Sequence, residues 1–177
     1  MKETQISEDL TLSPLKEKHA SDIFDTLDRY RDRMRVWLPF IDTTLSVNDS
    51  LDYIRYAKSN EKTYAIIFKG EFAGMIGIKS VDESNEKAEL GYWISPAFEG
   101  KGLVSQSARA LIDYAFNTMN LNRLLIQVAV GNTRSIRIAE RLGFKKEGIE
   151  RDGEKLVNGF TNIVKFGLLK RDFNAEN

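Results

Sequence analysis

The stretch Glu89-Leu90-Gly91-Tyr92-Trp93-Ile94-Ser95-Pro96-Ala97-Phe98-Glu99-Gly100-Lys101-Gly102-Leu103-Val104 passes from a strand through a glycine turn into a helix. In its first half, every second residue is apolar on one face, which is the period of a strand. Pro96 ends that strand. Beyond the turn, apolar residues recur every three to four positions as far as Met119, which predicts a helix with one buried face. Gly100 and Gly102 therefore lie at the helix N-terminus.

The glycine turn has the features of an anion site. A helix N-terminus offers unpaired backbone N–H groups and the positive end of the helix dipole, and glycines carry no side chain that would keep an anion away. Glycines also form tight turns that hold no ligand, so the turn alone leaves both interpretations open. Two other nucleotide motifs do not match. Lys101 is followed by Gly102 instead of Ser or Thr, and Ser105 stands where a dinucleotide fingerprint has a third Gly or Ala.

Three segments in a fixed order carry a family resemblance. They are Ala97-Phe98-Glu99-Gly100-Lys101-Gly102, then Val128-Ala129-Val130-Gly131-Asn132-Thr133-Arg134-Ser135, then Ala139-Glu140-Arg141-Leu142-Gly143-Phe144. Together they resemble the GNAT superfamily of acetyl-CoA-dependent N-acetyltransferases, with its Gln/Arg-x-x-Gly-x-Gly/Ala loop, its Asn-x-x-Ser helix start and its Leu-Gly-Phe turn. Ala97 departs from the pattern, since it replaces the usual Gln or Arg of the phosphate loop.

Two further segments narrow the resemblance. The strand Glu89-Leu90-Gly91-Tyr92-Trp93 and the cluster Trp37-Leu38-Pro39-Phe40 look like the branch that acetylates the N-termini of ribosomal proteins. This resemblance implies acetyl-CoA as cosubstrate and direct attack of a primary amine on its thioester in a ternary complex. It also implies a homodimer or larger homo-oligomer, which the late aromatics Phe160, Phe166 and Phe173 favour.

Length and composition fit a single domain over residues 1–177. Lys plus Arg equals Asp plus Glu at 26 each, so no basic excess indicates nucleic-acid binding. There is no cysteine, which excludes a disulfide framework, a thiolate metal site and an acetyl-cysteine intermediate. No metal is expected. The polar N-terminus and the lack of a long apolar run predict a cytoplasmic protein that does not enter a membrane.

Hydrophobic periodicity predicts an α+β fold, with seven strands in a mixed, mostly antiparallel sheet flanked by helices. Strands are expected at 10–15, 63–68, 72–78, 86–94, 123–130, 145–151 and 160–169. Helices are expected at 19–33, 48–60, 104–119 and 132–141. A polar loop at 152–155 and a turn at Asn158-Gly159 are expected between the last two strands. The family resemblance implies that the central strands at 90–95 and 123–130 splay apart.

The resemblance implies where the cofactor lies. Pantetheine would pass between the splayed strands like an added strand, with Asn132 in contact and backbone N–H groups of Tyr92, Trp93 and Ile94 polarising the thioester. The pyrophosphate would rest on N–H groups of the turn, namely those of Glu99, Gly100, Lys101, Gly102, Leu103 and Val104. The side chains of Glu99 and Lys101 should point outward, because a carboxylate turned toward phosphate would repel it.

Two side chains are the candidates for proton transfer. Glu89 is the carboxylate nearest the expected cleft and is predicted to act as base, directly or through a water; alternatively it only pairs with Lys87 or another neighbour. Ser135 is predicted to be the acid beside the cofactor sulfur, as the resemblance implies, and it is also in the cofactor-binding set; alternatively Asn132 only caps a helix whose first turn Ser135 completes. His19, the single histidine, is interpreted as a surface or capping residue.

The acceptor is left open at this point. Trp37 and Phe40 are predicted to bind the acceptor as a wall of its cleft, or else to fill the core beneath two helices. Three functions fit: acetylation of a protein N-terminus, acetylation of a small amine such as a polyamine or antibiotic, and a non-catalytic acetyl-CoA sensor. An open groove would favour the first, and a closed acidic pocket the second.

Overall fold

Eight strands form one sheet in the computed structural model, which describes residues 1–175. They are β1 (Thr4–Ser7), β2 (Leu10–Pro14), β3 (Lys62–Phe68), β4 (Glu71–Asp82), β5 (Lys87–Ile94), β6 (Arg123–Ala129), β7 (Lys145–Leu156) and β8 (Gly159–Leu169). Their order across the sheet is β1-β2-β3-β4-β5-β6-β8-β7. Only the β5/β6 pair is parallel, so the mixed, mostly antiparallel α+β sheet is confirmed.

The predicted number of seven strands is wrong, because the edge strand β1 was missed. β1 is four residues long and contains one apolar residue, Ile6, so its sequence lacks the alternation that identifies a half-buried strand. β1 pairs with β2. This pairing with a neighbouring strand, and not the local sequence pattern, makes the segment a strand.

Six helices accompany the sheet within the described residues: α1 (Ala20–Arg29), α2 (Arg31–Met34), α3 (Val47–Asn60), α4 (Leu103–Asp113), α5 (Thr133–Arg141) and α6 (Lys170–Ala175). The single helix predicted over 19–33 is wrong, since the backbone of Tyr30 leaves the helical region between α1 and α2. Ser46 caps α3 by accepting from the Asp49 N–H, and the Asp49 carboxylate accepts from the Ser46 N–H in return, which is a capping box. Tyr114–Thr118 continues α4 as a π-helical segment.

Helices cover both faces of the sheet. On one face α1, α2 and α3 bury Ile23, Leu27 and Ile54 against Met75 and Trp93. On the other face α4 and α5 pack on the main core, which includes Leu111, Phe116, Leu90 and Phe166. The alternation of β5 follows this division, because odd and even residues of a strand point to opposite faces. Each face of β5 therefore packs against a different layer of helices.

The loop predicted at Asp152-Gly153-Glu154-Lys155 is wrong, because these residues belong to β7. The β7/β8 register shifts between Glu150 and Glu154, and Asp152 has φ 49°. The polar, glycine-containing sequence therefore corresponds to an irregularity within β7 and not to the end of that strand. A turn is present here as expected, but it consists of Val157 and Asn158, one residue earlier than predicted, because Gly159 already pairs with Leu156 as the first residue of β8.

Within residues 1–175, no helix is both long and apolar enough to span a membrane. Of the aromatics taken to indicate association, Phe166 and Phe173 are buried in the core, while Phe160 is exposed. Only Phe160 therefore supports the predicted oligomer.

Candidate active site

The two central strands separate after three residue pairs. β5 and β6 pair only from Lys87–Arg123 to Glu89–Leu125. Beyond that point β5 stays bonded to β4 as far as Ile94, and β6 to β8 as far as Ala129. The facing edges of Leu90–Ile94 and Ile126–Ala129 are therefore unpaired with each other, as the resemblance implied. An extended ligand can hydrogen-bond to such edges as an added strand does.

The glycine turn adopts a left-handed backbone at both glycines. Gly100 has φ 76° and Gly102, the N-cap of α4, has φ 72°, a region that strongly favours glycine. A Cβ on Gly100 would meet no atom within 4 Å, so the space beside it is open. No side chain in the described part of the protein caps α4, which leaves its first N–H groups free for an anion.

The charged side chains of the turn are held away from it. Glu99 is bound by Arg33, at 2.5 Å, and by Arg134. The ammonium of Lys101 lies 6.0 Å from the centre of the Phe68 ring. These contacts agree with the expected outward orientation, and they tie the turn to α2 and to the start of α5. Arg134, in the first turn of α5, therefore shares the single Glu99 carboxylate with Arg33.

The start of α5 is fixed by two hydrogen bonds. The Asn132 side chain accepts from the Ser135 backbone N–H at 3.2 Å, so Asn132 is a helix cap. The Tyr92 hydroxyl donates to the Ser135 carbonyl at 3.3 Å and bridges the gap from β5. Burial raises the pKa of Tyr92 to about 12, which keeps this hydroxyl a donor at neutral pH. The backbone N–H and C=O groups of Ser135 are thus both hydrogen-bonded, and Ser135 lines the cleft.

A cleft of about 690 Å³ runs along the α1–α3 face of the sheet to the splayed strands. Trp37 and Phe40 both line it, Phe40 with 43% of its surface exposed. Trp37 also packs against Ala129, Leu156 and Ile163, so it is both a core residue and a cleft wall. The Arg31 guanidinium fixes this wall by donating to the carbonyls of Ile41, at 2.5 Å, and Thr44, at 2.8 Å.

A second cavity, of about 730 Å³, lies beside α1 and includes His19, Asp22 and Asp25. It contains neither Ser135 nor Glu89, so the chemistry belongs to the cleft. His19 is buried, and its Nδ1 accepts from the Lys16 N–H at 3.1 Å. It is a capping residue, as expected, but it is not on the surface.

Glu89 lies in the cleft with both carboxylate oxygens engaged. One oxygen is 3.1 Å from the Lys79 ammonium, and the other accepts from the Gln127 amide at 2.8 Å. Its ionic partner is therefore Lys79 on β4, while Lys87 pairs with Asp82. Only 14% of the Glu89 side chain is exposed. The Glu89 carboxylate is therefore held in a fixed position in the cleft by two polar partners.

Glu154 is a cleft carboxylate that the sequence did not reveal. It lies on β7 after the register shift and lines the same cleft as Ser135 and Glu89. Burial raises the pKa of Glu154; Lys79 counteracts this and Glu89 adds to it. No ion pair to Glu154 is found within residues 1–175. A partly buried, unpaired carboxylate with a raised pKa is a common form of general base.

Among the described residues, no group of three His, Asp or Glu side chains is arranged to hold a metal ion. The open space at Gly100, the uncapped start of α4 and the unpaired strand edges together fit a long, phosphate-bearing cofactor. Of the predicted site residues, Tyr92, Trp93, Asn132, Ser135 and Glu89 meet in the cleft. The glycine turn lies at the start of α4.

Comparison with known proteins agrees with this geometry. Residues 9–145 match the model of the acetyltransferase (GNAT) domain family. YdaF of Bacillus subtilis, provisionally named a ribosomal N-acetyltransferase, is 36% identical over 97% of each chain. The spermidine N(1)-acetyltransferase of Escherichia coli is 30% identical, over 85% of this chain and 81% of that protein. The structure of RimL, a ribosomal L7/L12 alpha-N-protein acetyltransferase in complex with coenzyme A, superposes with a TM-score of 0.90 at 22% identity, covering 95% and 98% of the two chains.

Proposed function

The chain belongs to the GNAT family of acetyltransferases, and on that premise we propose that its acceptor is the N-terminal amine of a ribosomal protein. As a member of this family it is an acyltransferase that uses acetyl-CoA. The observation that carries the proposal is the cleft itself, which is open along the sheet and walled by the exposed ring of Phe40. An open groove with an aromatic wall suits the end of a peptide. The similarity to YdaF supports a ribosomal acceptor.

The proposed cofactor site has two parts. The backbone N–H groups from Glu99 to Val104 bind the pyrophosphate, since left-handed glycines and an uncapped helix expose them. The unpaired edges of β5 and β6 hold the pantetheine, with Tyr92, Trp93 and Ile94 on one side and Asn132 near the other. Glu99 and Lys101 contribute backbone only. Because backbone makes these contacts, Ala97 in place of Gln or Arg removes one side chain and leaves the N–H groups intact.

Acetyl-CoA, when bound, supplies a thioester carbonyl that an amine can attack. Ser135 is proposed to donate a proton toward the sulfur, because its backbone is fixed by hydrogen bonds to Asn132 and Tyr92 and the residue lines the cleft. Backbone N–H groups of Tyr92 to Ile94 are proposed to polarise the carbonyl. These groups are proposed to position the reactants and to stabilise the charge that develops during the reaction. The reaction therefore requires no metal and no covalent enzyme intermediate.

Two carboxylates are candidates for the base. Glu89, the residue predicted from the sequence, is paired with Lys79 and Gln127, and these two contacts fix the carboxylate and occupy both of its oxygens. Burial raises the pKa of Glu154, and the nearby Lys79 ammonium only partly counteracts this without forming a salt bridge to it among the described residues. We therefore assign proton abstraction from the acceptor ammonium to Glu154, directly or through water, and electrostatic support to Glu89. Turnover by single variants at each position separates the two roles.

A small amine is the second candidate acceptor. The favouring observation is that Glu61 and Glu154 line the cleft without an ion-pair partner in residues 1–175, which suits a polycation. The similarity to spermidine N(1)-acetyltransferase points the same way. A peptide and a polyamine acceptor would react with acetyl-CoA bound at the same site. Only the residues that contact the acceptor can therefore distinguish between them.

We further propose a cytoplasmic homodimer or larger homo-oligomer, without nucleic-acid or membrane partners. The proposed cytoplasmic location follows from the proposed reaction, because ribosomal proteins and acetyl-CoA are both present in the cytoplasm. Exposed Phe160, next to the end of edge strand β7, supports self-association because an unpaired edge with apolar neighbours readily takes a partner. Sedimentation at micromolar concentration showing a 20.2 kDa species alone would contradict it.

The experiment that tests the proposed function is acceptor identification in a lysate. Lysate proteins and small amines are incubated with isotopically labelled acetyl-CoA, with and without the enzyme, and acetylated products are identified by mass spectrometry. The proposal predicts label on the N-terminus of a ribosomal protein. Label found only on polyamines would replace it with the second candidate.

A further inference from the structure

We infer that Glu99 is a positioning residue whose side chain couples cofactor binding at the glycine turn to the acceptor wall and to the start of α5. The acceptor wall is defined as residues 37–44, which connect α2 to α3. The inference rests on the proposed function, because it takes the turn as the phosphate site and the wall as part of the acceptor site. It gives the Glu99 side chain a role that is separate from the backbone contact proposed above.

Glu99 joins three parts of the site through one carboxylate oxygen. Its Oε2 accepts from the Arg33 guanidinium at 2.5 Å and from the Arg134 guanidinium. Arg33 lies on α2, and Arg134 lies in the first turn of α5, next to Ser135. Among the described residues, Glu99 is the only carboxylate that forms ion pairs with two arginines. The glycine turn, α2 and α5 are thus held together by a single side chain.

The helix α2 extends this contact to the acceptor wall. Arg31 and Arg35, the first residue and the C-cap of α2, are four positions apart and so lie on one side of the helix, while Arg33 lies on the other. Arg31 donates to two backbone carbonyls of the wall, and Arg35 pairs with Asp42. One side of α2 is therefore fixed to the wall and the other to the glycine turn.

The backbone and the side chain of Glu99 have different partners. Its N–H is one of those proposed to bind the pyrophosphate, while its carboxylate holds two guanidinium groups. An exposed ion pair contributes little stability, because ordering two long side chains costs entropy. A phosphate bound to the turn would fix the Glu99 backbone, so less entropy is lost when the ion pairs form. Cofactor binding should therefore strengthen both ion pairs and stabilise the segments that they hold.

The exposure and charge of the cluster fit this role. The Glu99 side chain is 27% exposed, against 54% for Arg33 and 69% for Arg134. The carboxylate is therefore the less solvated centre of the cluster, where ion pairs are screened less. Two arginines on one carboxylate also leave a net positive charge beside the turn, which offsets repulsion between Glu99 and a phosphate.

Hydrogen–deuterium exchange with coenzyme A as the ligand tests the coupling. Coenzyme A is used alone, so the result does not depend on which amine is the acceptor. In the wild type at saturating coenzyme A, we expect slower exchange at the glycine turn, residues 95–104, because its N–H groups bind phosphate. Exchange should also slow roughly two- to fivefold in residues 31–44 and 133–139, which is the effect of strengthening one exposed ion pair in each segment.

Three variants separate the two ion pairs. Arg33→Gln should abolish the coenzyme A effect on residues 31–44 and keep that on residues 133–139. Arg134→Gln should do the reverse, and Glu99→Gln should abolish both. Each variant should keep the slower exchange at the turn, because backbone groups make that contact. Arg33→Lys should restore the effect on residues 31–44, since one nitrogen of Arg33 bonds to Glu99 and an ammonium can replace it.

Asp172→Asn is the matched control. Asp172 also pairs with two cationic side chains, Lys145 and Arg171, and its side chain is 29% exposed. It lies on α6, outside the turn and the acceptor cleft, so the variant should leave all the coenzyme A effects unchanged. A response of residues 31–44 that survives Glu99→Gln, or that Asp172→Asn also removes, refutes the inference.

The exchange pattern also separates this inference from the proposed function. No slowing at residues 95–104 in the wild type would overturn the phosphate assignment and the inference with it. Slowing at the turn without slowing in residues 31–44 would overturn the inference alone. Slowing in all three segments that follows the expected pattern among the variants supports both, whichever acceptor is labelled in the lysate.

Discussion

Replacing Gly100 with alanine tests whether the glycine turn is the phosphate site. Gly100 has φ 76°, and an L-residue in this left-handed region costs about 1–2 kcal/mol, partly offset by the lower entropy of an unfolded alanine chain. No atom lies within 4 Å of the added Cβ, so no clash adds to that cost. The expected net loss is about 1 kcal/mol, or roughly 2–4 °C in melting temperature for a chain of this size.

Gly70 provides a control with nearly the same backbone. It has φ 82° in the β3/β4 turn, and a Cβ there also meets no atom within 4 Å. Gly70→Ala should therefore cost about as much stability as Gly100→Ala. The two variants differ only in what the added methyl group faces, since Gly70 lies outside both the turn and the acceptor cleft.

The assay is thermal unfolding with and without acetyl-CoA. Cofactor at about a hundred times its dissociation constant should stabilise the wild type by about 2.7 kcal/mol, which is roughly 5–11 °C. Gly70→Ala should keep this shift. Gly100→Ala should lose most of it, because the methyl group occupies the space beside the N–H groups. A full shift in Gly100→Ala would refute the assignment of the phosphate to this turn.

Four other outcomes are expected. Ser135→Ala should keep the acetyl-CoA melting shift but lower kcat by about a hundred- to ten-thousand-fold, the usual effect of removing a general acid; wild-type turnover in this variant would exclude the role. Glu154→Gln should lower kcat and abolish the rise of the rate with pH through the raised pKa of Glu154, whereas Glu89→Gln should keep that rise. The pKa of Glu154 is raised in the folded state, so its charge opposes folding above that pKa. Glu154→Gln should therefore raise the melting temperature at pH 7, but should not raise it below the ordinary glutamate pKa near 4.3. An equal gain at both pH values would contradict burial as the cause. Arg31→Gln should raise the acceptor KM while leaving the acetyl-CoA melting shift unchanged, since Arg31 bonds to two carbonyls of the cleft wall; an unchanged KM would show that this wall does not contact the acceptor.

Much of the fold follows from patterns within a few residues. The alternation of β5 predicted that strand within one residue, and the apolar spacing predicted α4 together with its π-helical continuation to Thr118 equally closely. The departures occur where local pattern is weak or overridden. β1 has a single apolar residue and becomes a strand by pairing with β2, and Asp152–Lys155 carries turn residues yet stays in β7, because β8 continues beside it.

The glycine turn and the cap of α5 could be predicted from the sequence, and so could the aromatic residues Trp37 and Phe40 that line the cleft. Gly100 and Gly102 adopt left-handed backbones just before α4, and the Asn132 side chain caps the first turn of α5, so each feature is local and leaves a local signature in the sequence. The cofactor contacts inferred for them need no partner from a distant segment. Family resemblance could therefore recognise them directly.

The partners of the charged cleft residues were decided by tertiary structure. Glu89 was chosen as base because it adjoins the splayed strand, but its pairing with Lys79 depends on the register of a long hairpin. Glu154 lies in a stretch that looked like a surface loop, and only the β7/β8 pairing brings it to the cleft. Burial and neighbouring charge set a carboxyl pKa, and both come from groups remote in sequence. The sequence alone thus determined where acetyl-CoA is expected to bind, while the folded chain determined which carboxylate is free to take a proton.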